Sequence, residues 1–305
     1  MAGTHVATTN RDRTGRRTAG RERLAAARIP ARHRAAVPLA AVLVAVTSAP
    51  AGAPAPPNPV PCSIPEHSRP TVILVHGAWN DTSSWNGVMK ALRLAGYSAR
   101  AIANPLRNLN SDAATVAGFL RTLRGPIVLV GHSYGGSVIT NAAANVPNVK
   151  ALVYVDAPAP DVGEATVQLR GRGSALNANP DTLYDEAPYP GAPPGVYDLY
   201  LKQDVFVYAY ASDLPRNVAR RLWATQRAAS TSAFMTPSRA AAWRKIPSWY
   251  FISTGDQIIT AESMSFMAKR ADSKVTTFQG GSHLSLISHP QEVAATIGAA
   301  ICSVR

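Results

Sequence analysis

Gly131-His132-Ser133-Tyr134-Gly135 forms a G-x-S-x-G motif between the apolar run Ile127-Val128-Leu129-Val130 and a small-residue stretch starting near Gly136. A strand that turns sharply into a helix at such a motif presents its serine hydroxyl at the carboxyl edge of a sheet, and the glycines allow close backbone approach. The helix that begins there also points unpaired N–H groups at the place where a carbonyl oxygen would gain charge. An ordinary Gly-rich turn is the bland alternative. The strand before and the helix after favour Ser133 as a nucleophile.

A serine hydroxyl reacts slowly at neutral pH unless a base accepts its proton and an acid orients that base. Downstream of the basic leader the chain offers His67, His76, His132, His283 and His289. His67 lies in a Pro-rich stretch, and His76 and His132 sit inside Gly-bounded turns where local shaping accounts for them. His283 follows the predicted strand Lys274–Phe278 on Gln279-Gly280-Gly281-Ser282, a loop free to reach the serine. It is the expected base, with His289 its rival. Asp256, in Ser253-Thr254-Gly255-Asp256, holds the matching place one strand earlier and is the expected acid. Capping the next helix is the other reading of Asp256. Asp156, which closes the predicted strand Val149–Val155, is a possible alternative acid. The oxyanion donors are expected to be backbone N–H groups: Tyr134, directly after the nucleophile, and Ala78 in the loop His76-Gly77-Ala78-Trp79.

These residues need a scaffold that brings strand ends to one edge. Thr71–Val75, Ser98–Ile102, Ile127–Val130, Val149–Val155, Trp249–Ser253 and Lys274–Phe278 read as strands. Helices are predicted over Ser84–Ala95, about Asp112–Leu123 with Ser111 as cap, after Ser133, over Ala261–Ala268 and after Pro290. Alternation of six apolar strands with helices predicts an α/β fold with a mostly parallel sheet covered on both faces. The stretch from 157 to 247 is too long for a plain loop and predicts a helical lid, including Val218–Ala229 as a helix, above the carboxyl ends of the strands. Tyr208, Tyr210, Trp223, Phe234 and Trp243 could line a pocket there, although packing of lid on body is the favoured reading for each.

Residues 1–51 read as a signal peptide. Nine Arg precede the 12-residue apolar run Ala35–Val46, and small residues follow it. Such a core is too short for a membrane span, which needs roughly 20 residues, so no stable membrane insertion is expected. Arg16-Arg17 resembles a twin-arginine signal but lacks the hydrophobic residues expected after the pair, which favours the general secretory route. A disordered N-terminal extension is the other reading. Removing nine Arg with Asp12 and Glu22 takes away a net +7, so the formal +13 falls to +6. With no basic stripe interleaved with aromatics left, no nucleic-acid partner is expected. Residues 52–70 form a Pro-rich linker, and 71–305 the folded domain. Cys62, just before the first strand, and Cys302, at the end of the last predicted helix, are the two cysteines; in an exported chain they are expected to form a disulfide.

His76–Trp79 with Trp85, the Gly131–Gly136 turn, Thr225-Gln226-Arg227, Ile246-Pro247-Ser248-Trp249 and Gly280–His283 together resemble the α/β-hydrolase superfamily. The likeness is to small bacterial serine hydrolases related to plant methyl esterases and hydroxynitrile lyases, over about Pro70 to Ser303. It implies a triad of Ser133, His283 and Asp256, an oxyanion hole at Ala78 and Tyr134, no cofactor and no metal. The hydroxynitrile lyases carry Thr at the place of Gly77 and Lys at that of Leu284, so the resemblance is to the esterases. Antiparallel strands ahead of the first parallel strand, common in relatives, are replaced here by the linker, and Asp156 stands where relatives have a small residue. The implied function is a secreted serine hydrolase cleaving carboxylic esters of small to medium apolar substrates through an acyl-enzyme. Alternatives are a lyase, C–C hydrolase, perhydrolase or amidase on the same scaffold, or a non-catalytic protein holding a small ligand under the lid.

Overall fold

The computed structural model describes residues 62, 64–65 and 69–304. The expected signal peptide and most of the linker lie outside these residues. In chain order the main body runs β1 (Thr71–Val75), α1 (Asn86–Leu94), β2 (Ala99–Ile102), α2 (Leu109–Leu120), β3 (Ile127–His132), α3 (Tyr134–Ala142) and β4 (Val149–Val155). An insertion follows, with α4 (Pro180–Leu183), β5 (Tyr184–Ala187), β6 (Asp198–Leu201), α5 (Gln203–Val205), α6 (Arg216–Ala224), β7 (Ala229–Ser230) and α7 (Thr231–Met235). The body resumes with β8 (Ser248–Ser253), α8 (Ala261–Arg270), β9 (Lys274–Phe278), α9 (Ser285–Ser288) and α10 (Pro290–Ser303).

The six body strands form one parallel sheet in the order β2-β1-β3-β4-β8-β9. Every residue of β3 and β8 is buried. Successive strand residues point to opposite faces, so uniform burial means that both faces are covered. α1 packs against α10, and α2 against α3. β9 is an edge strand and its Lys274–Thr277 stretch is exposed, which suits its Lys and Thr content. Since all six strands run the same way, the loops after β1, β3, β4, β8 and β9 leave from one edge of the sheet. Those loops carry Ala78, Ser133, Asp156, Asp256 and His283.

Two local expectations shift. The second helix starts three residues before Asp112, because the Asn108 side chain, rather than Ser111, caps it by accepting the Asn110 N–H at 3.0 Å. The expected helix Val218–Ala229 stops at Ala224. There Gln226 turns its amide onto β6, accepting from Leu201 N–H and donating to Leu201 O, and Ala229 goes on into a strand. The insertion is therefore not purely helical: β5, β6 and β7 form an antiparallel sheet. Cys62 and Cys302 form a disulfide across 240 residues, with Cα atoms 5.4 Å apart. It joins the segment ahead of β1 to the end of α10, away from the carboxyl edge.

Candidate active site

Ser133 sits between β3 and α3 with φ +50° and ψ −133°, a conformation costly for a residue with a side chain. It is held by its neighbours: the Ser133 N–H donates to Val155 O at 3.2 Å, and the Gly136 N–H to Ser133 O at 2.7 Å. A side chain at Gly135 would place its Cβ 2.5 Å from Val75 O, so only glycine lets α3 lie this close to β1. Trp79 and Asp156, at φ +59° and +43°, are two further non-glycine residues with positive φ at this edge.

His283 Nε2 lies 2.7 Å from Ser133 Oγ, and His283 Nδ1 lies 2.7 Å from Asp256 Oδ2. Asp256 Oδ1 accepts the Ile258 and Ile259 N–H groups at 2.7 and 3.1 Å, which leaves Oδ2 for the imidazole. His132 Nε2 meets the His283 carbonyl at 2.7 Å and so holds the backbone of the candidate base. Burial lowers the His283 pKa to about 3, so the ring is neutral and free to take a proton. Burial raises Asp256 to about 8, against the downward pull of the two backbone N–H groups.

Asp156 is brought to the same edge but makes no hydrogen bond to the His283 ring. Its Oδ1 accepts the Ser253 N–H at 2.7 Å, and its Oδ2 accepts the Ser253 and Ser285 hydroxyls. It thereby ties the end of β8 to the turn after His283. Burial, and then the neighbouring Asp256, push its pKa well above the ordinary carboxylate range. His289, the rival base, is also elsewhere: its Nε2 pairs with Asp213 at 3.1 Å and its ring lies on Phe278.

Tyr134 is the first residue of α3, so its N–H has no acceptor within the helix. Ala78 is fully buried in the loop after β1. That loop is gripped by the insertion: Tyr210 donates its O–H to Ala78 O at 2.9 Å, and the Trp79 indole donates to Leu199 O at 3.0 Å. His76 shapes the loop as well. Its Nε2 accepts the Asn104 N–H at 3.0 Å, which leaves Nδ1–H to donate to Gly77 O at 2.9 Å. Beside Ser133 opens a cavity of about 420 Å³ whose walls include Trp79, Leu183, Tyr184, Phe234 and Ile258. Of the five aromatics considered from sequence, only Phe234 lines it. Tyr210 packs on His283, Tyr208 is exposed beside Arg216, and Trp223 and Trp243 donate to Leu201 O and Pro160 O.

Residues 72–296 match the sequence profile of the alpha/beta hydrolase family. The chain belongs to that family. It is 33% identical over 113 residues to a carbendazim hydrolyzing esterase of Nocardioides sp. (strain SG-4G), an alignment covering 32% of this chain and 46% of that enzyme. The alpha/beta hydrolase nvfD of Aspergillus novofumigatus is 27% identical over 251 residues, covering 75% of this chain and 95% of the relative. Among solved structures, polyneuridine aldehyde esterase superposes with a TM-score of 0.63 at 16% identity, over 75% of this chain and 98% of that one. An extracellular alpha/beta-hydrolase from a Paenibacillus species gives 0.62 at 19% identity, over 76% and 98%. These two likenesses are likenesses of fold.

Within the family fold, several residues that hold the site carry no local sequence signal. Asp213, on the insertion, accepts the Ser282 and Ser288 hydroxyls at 2.5 and 2.7 Å and so steadies both sides of the His283 loop. In the sequence it is one Asp among many. His132 reads as part of the turn motif, and its bond to a residue 151 positions away is tertiary. No group of three or more His, Cys, Asp or Glu that could hold a metal ion occurs among the described residues.

Proposed function

We propose that this chain is an exported serine hydrolase that cleaves carboxylic esters through an acyl-enzyme. Ser133 Oγ attacks the ester carbonyl carbon while its proton passes to His283 Nε2. Asp256 holds the ring with Nδ1–H toward itself and stabilises the imidazolium as it forms. The tetrahedral oxyanion lies against the N–H groups of Ala78 and Tyr134. Collapse breaks the bond to the alcohol oxygen, which leaves with the proton from His283. Water, deprotonated by the same imidazole, then attacks the acyl carbonyl and frees Ser133.

The observation that carries this function is the unbroken chain of contacts from Ser133 through His283 to Asp256 at the wall of an apolar cavity. The names of the relatives, an esterase of Nocardioides and the rice esterase PIR7B among them, agree with it. Export agrees with the Cys62–Cys302 disulfide, a bond of oxidising compartments. The cavity, with its aromatic and aliphatic walls, suits small to medium apolar groups. Cyanohydrin cleavage is disfavoured by Gly77: a Cβ there would stand 2.5 Å from Ser133 Cβ, which leaves no room for a Thr.

The test is a panel of aryl esters and a fluorophosphonate label on the native chain and on Ser133→Ala. Turnover and labelling in the first, with loss of both in the second, are expected. Full-rate hydrolysis by Ser133→Ala would refute the nucleophile.

A further inference from the structure

We propose that Arg170 selects esters that carry a carboxylate remote from the scissile bond; this deepens the ester-hydrolase function above and rests on it. Arg170 lines the same cavity as Ser133 and is the only cationic side chain among its described lining residues. Four other basic residues, Arg107, Lys202, Arg244 and Arg270, each meet a carboxylate. Arg170 is a half-buried residue, and its guanidinium makes no hydrogen bond or ion pair with any described residue.

Its backbone, by contrast, is firmly built. The Thr260 N–H donates to Arg170 O at 2.9 Å, and the Ser263 hydroxyl to Leu169 O at 2.8 Å. Gly171 follows at φ +88°, so close to Thr260 that an added Cβ would lie 2.1 Å from Thr260 Oγ1. The Asn177 side-chain amide donates to Gly171 O and Arg172 O at 2.9 and 2.8 Å. Thr260 stands four residues after Asp256, so the platform under Arg170 is tied to the loop that holds the acid.

A cation at the wall of an apolar cavity with no counter-ion is placed to hold a bound carboxylate through charge-assisted, two-point hydrogen bonds. Guanidinium is the cation best suited to this, being planar and weakly hydrated. Tyr184 shares the cavity wall. Burial pushes its phenol up to about 12 while Arg170 pulls it the other way, so the guanidinium field reaches into this space. Glu186 also borders the cavity, but it is exposed and solvent screens its charge.

The experiment compares p-nitrophenyl esters of matched length, one methyl-terminated and one carboxylate-terminated, on the native chain, Arg170→Gln and Arg170→Glu. A third ester bears its carboxylate on the alcohol ring and tells which side of the substrate faces Arg170. The ratio of kcat/KM for an anionic over the neutral ester is expected to fall about 10- to 100-fold in Arg170→Gln, mostly through KM. It should fall further in Arg170→Glu. Both rates falling together would mean that Arg170 is only structural, and an unchanged ratio would overturn the assignment. Binding of the free dicarboxylate to Ser133→Ala by calorimetry separates the two levels. Arg170-dependent binding without any ester turnover would keep the anion site and sink the esterase function; binding indifferent to Arg170 would sink the anion site alone.

Discussion

Tyr210 donates its phenolic O–H to the carbonyl oxygen of Ala78 at 2.9 Å, and its own oxygen accepts from Asn80 Nδ2 at 2.6 Å. Tyr210 belongs to the insertion and Ala78 to the loop after β1. The proposed oxyanion hole is therefore held from above by a segment 132 residues away in the chain. The Tyr210 ring also packs on His283, its centroid 5.1 Å distant. One side chain thus contacts both the proposed base and a proposed oxyanion donor.

Tyr210→Phe keeps the ring and leaves Ala78 O and the Asn80 amide without their buried partner. It should cost about 1–3 kcal/mol in stability and, by loosening the loop, about 10- to 100-fold in kcat. Denaturant unfolding beside ester kinetics checks both. A variant with native kcat would show that Ala78 is positioned without the insertion.

The two buried aspartates should separate cleanly. Asp256→Asn replaces the carboxyl that orients His283 and should lower kcat on the order of 10⁴-fold. Asp156→Asn leaves the His283–Asp256 contact in place, so its cost should fall mainly on stability. If the two variants lose activity equally, Asp156 shares the role of the acid.

The pH dependence follows from burial. His283, lowered to about 3, stays neutral across the working range, so the activity limb belongs to Asp256, raised from 3.8 to about 8. kcat/KM should rise with pH toward 8 and not level off at the usual imidazole value. Stability runs the other way. The folded chain holds a proton that the unfolded chain releases above 3.8, so this contribution is present below that pH and is lost as pH rises through about 8. Below pH 6.5 the buried histidines His76, His132 and His283, lowered in the folded chain, contribute the opposite slope, so thermal midpoints should decline between about 6.5 and 8, and Asp156→Asn, with one buried carboxyl fewer, should decline less. A flat series for the native chain would contradict the assignment.

Gly77→Ala brings a Cβ to 2.5 Å from Ser133 Cβ and about 3.0 Å from the His132 carbonyl oxygen. The nucleophile must shift, and a displacement near 1 Å costs about 100-fold in rate. Single-turnover acylation of Gly77→Ala measures this directly. An unimpaired rate would mean that the turn has slack.

The Cys62–Cys302 bond closes a loop of 240 residues far from the carboxyl edge of the sheet. Its removal in Cys302→Ser should cost up to about 5 kcal/mol of stability and leave the kcat of the folded fraction alone. Guanidinium unfolding with and without reductant provides the comparison.

Much of this site is readable along the chain because its parts are local. The G-x-S-x-G turn, the glycine loop before His283 and the Asp after β8 each follow a strand that announces itself by a short apolar or β-branched run. A parallel sheet then brings the ends of such strands to one edge whatever the intervening helices contain. Boundaries were less legible where a side chain decided them: Asn108 moved the start of α2, and Gln226, bound to β6, lies where the apparent helix over Val218–Ala229 ends early.

What the linear order determined is the set of candidate reacting groups, since strand, turn and loop chemistry reside in runs of four to six neighbours. What only the tertiary structure decided is the support around them. Asp156 faces Ser253 and Ser285 and not the imidazole, Asp213 and Tyr210 reach down from the insertion, and Arg170 stands half-buried with no partner among the described residues. Each of these depends on a bond, or the lack of one, between residues far apart in the chain. Composition and periodicity describe what a residue does to its neighbours in sequence, whereas burial and partnership arise only once the sheet has gathered its loops.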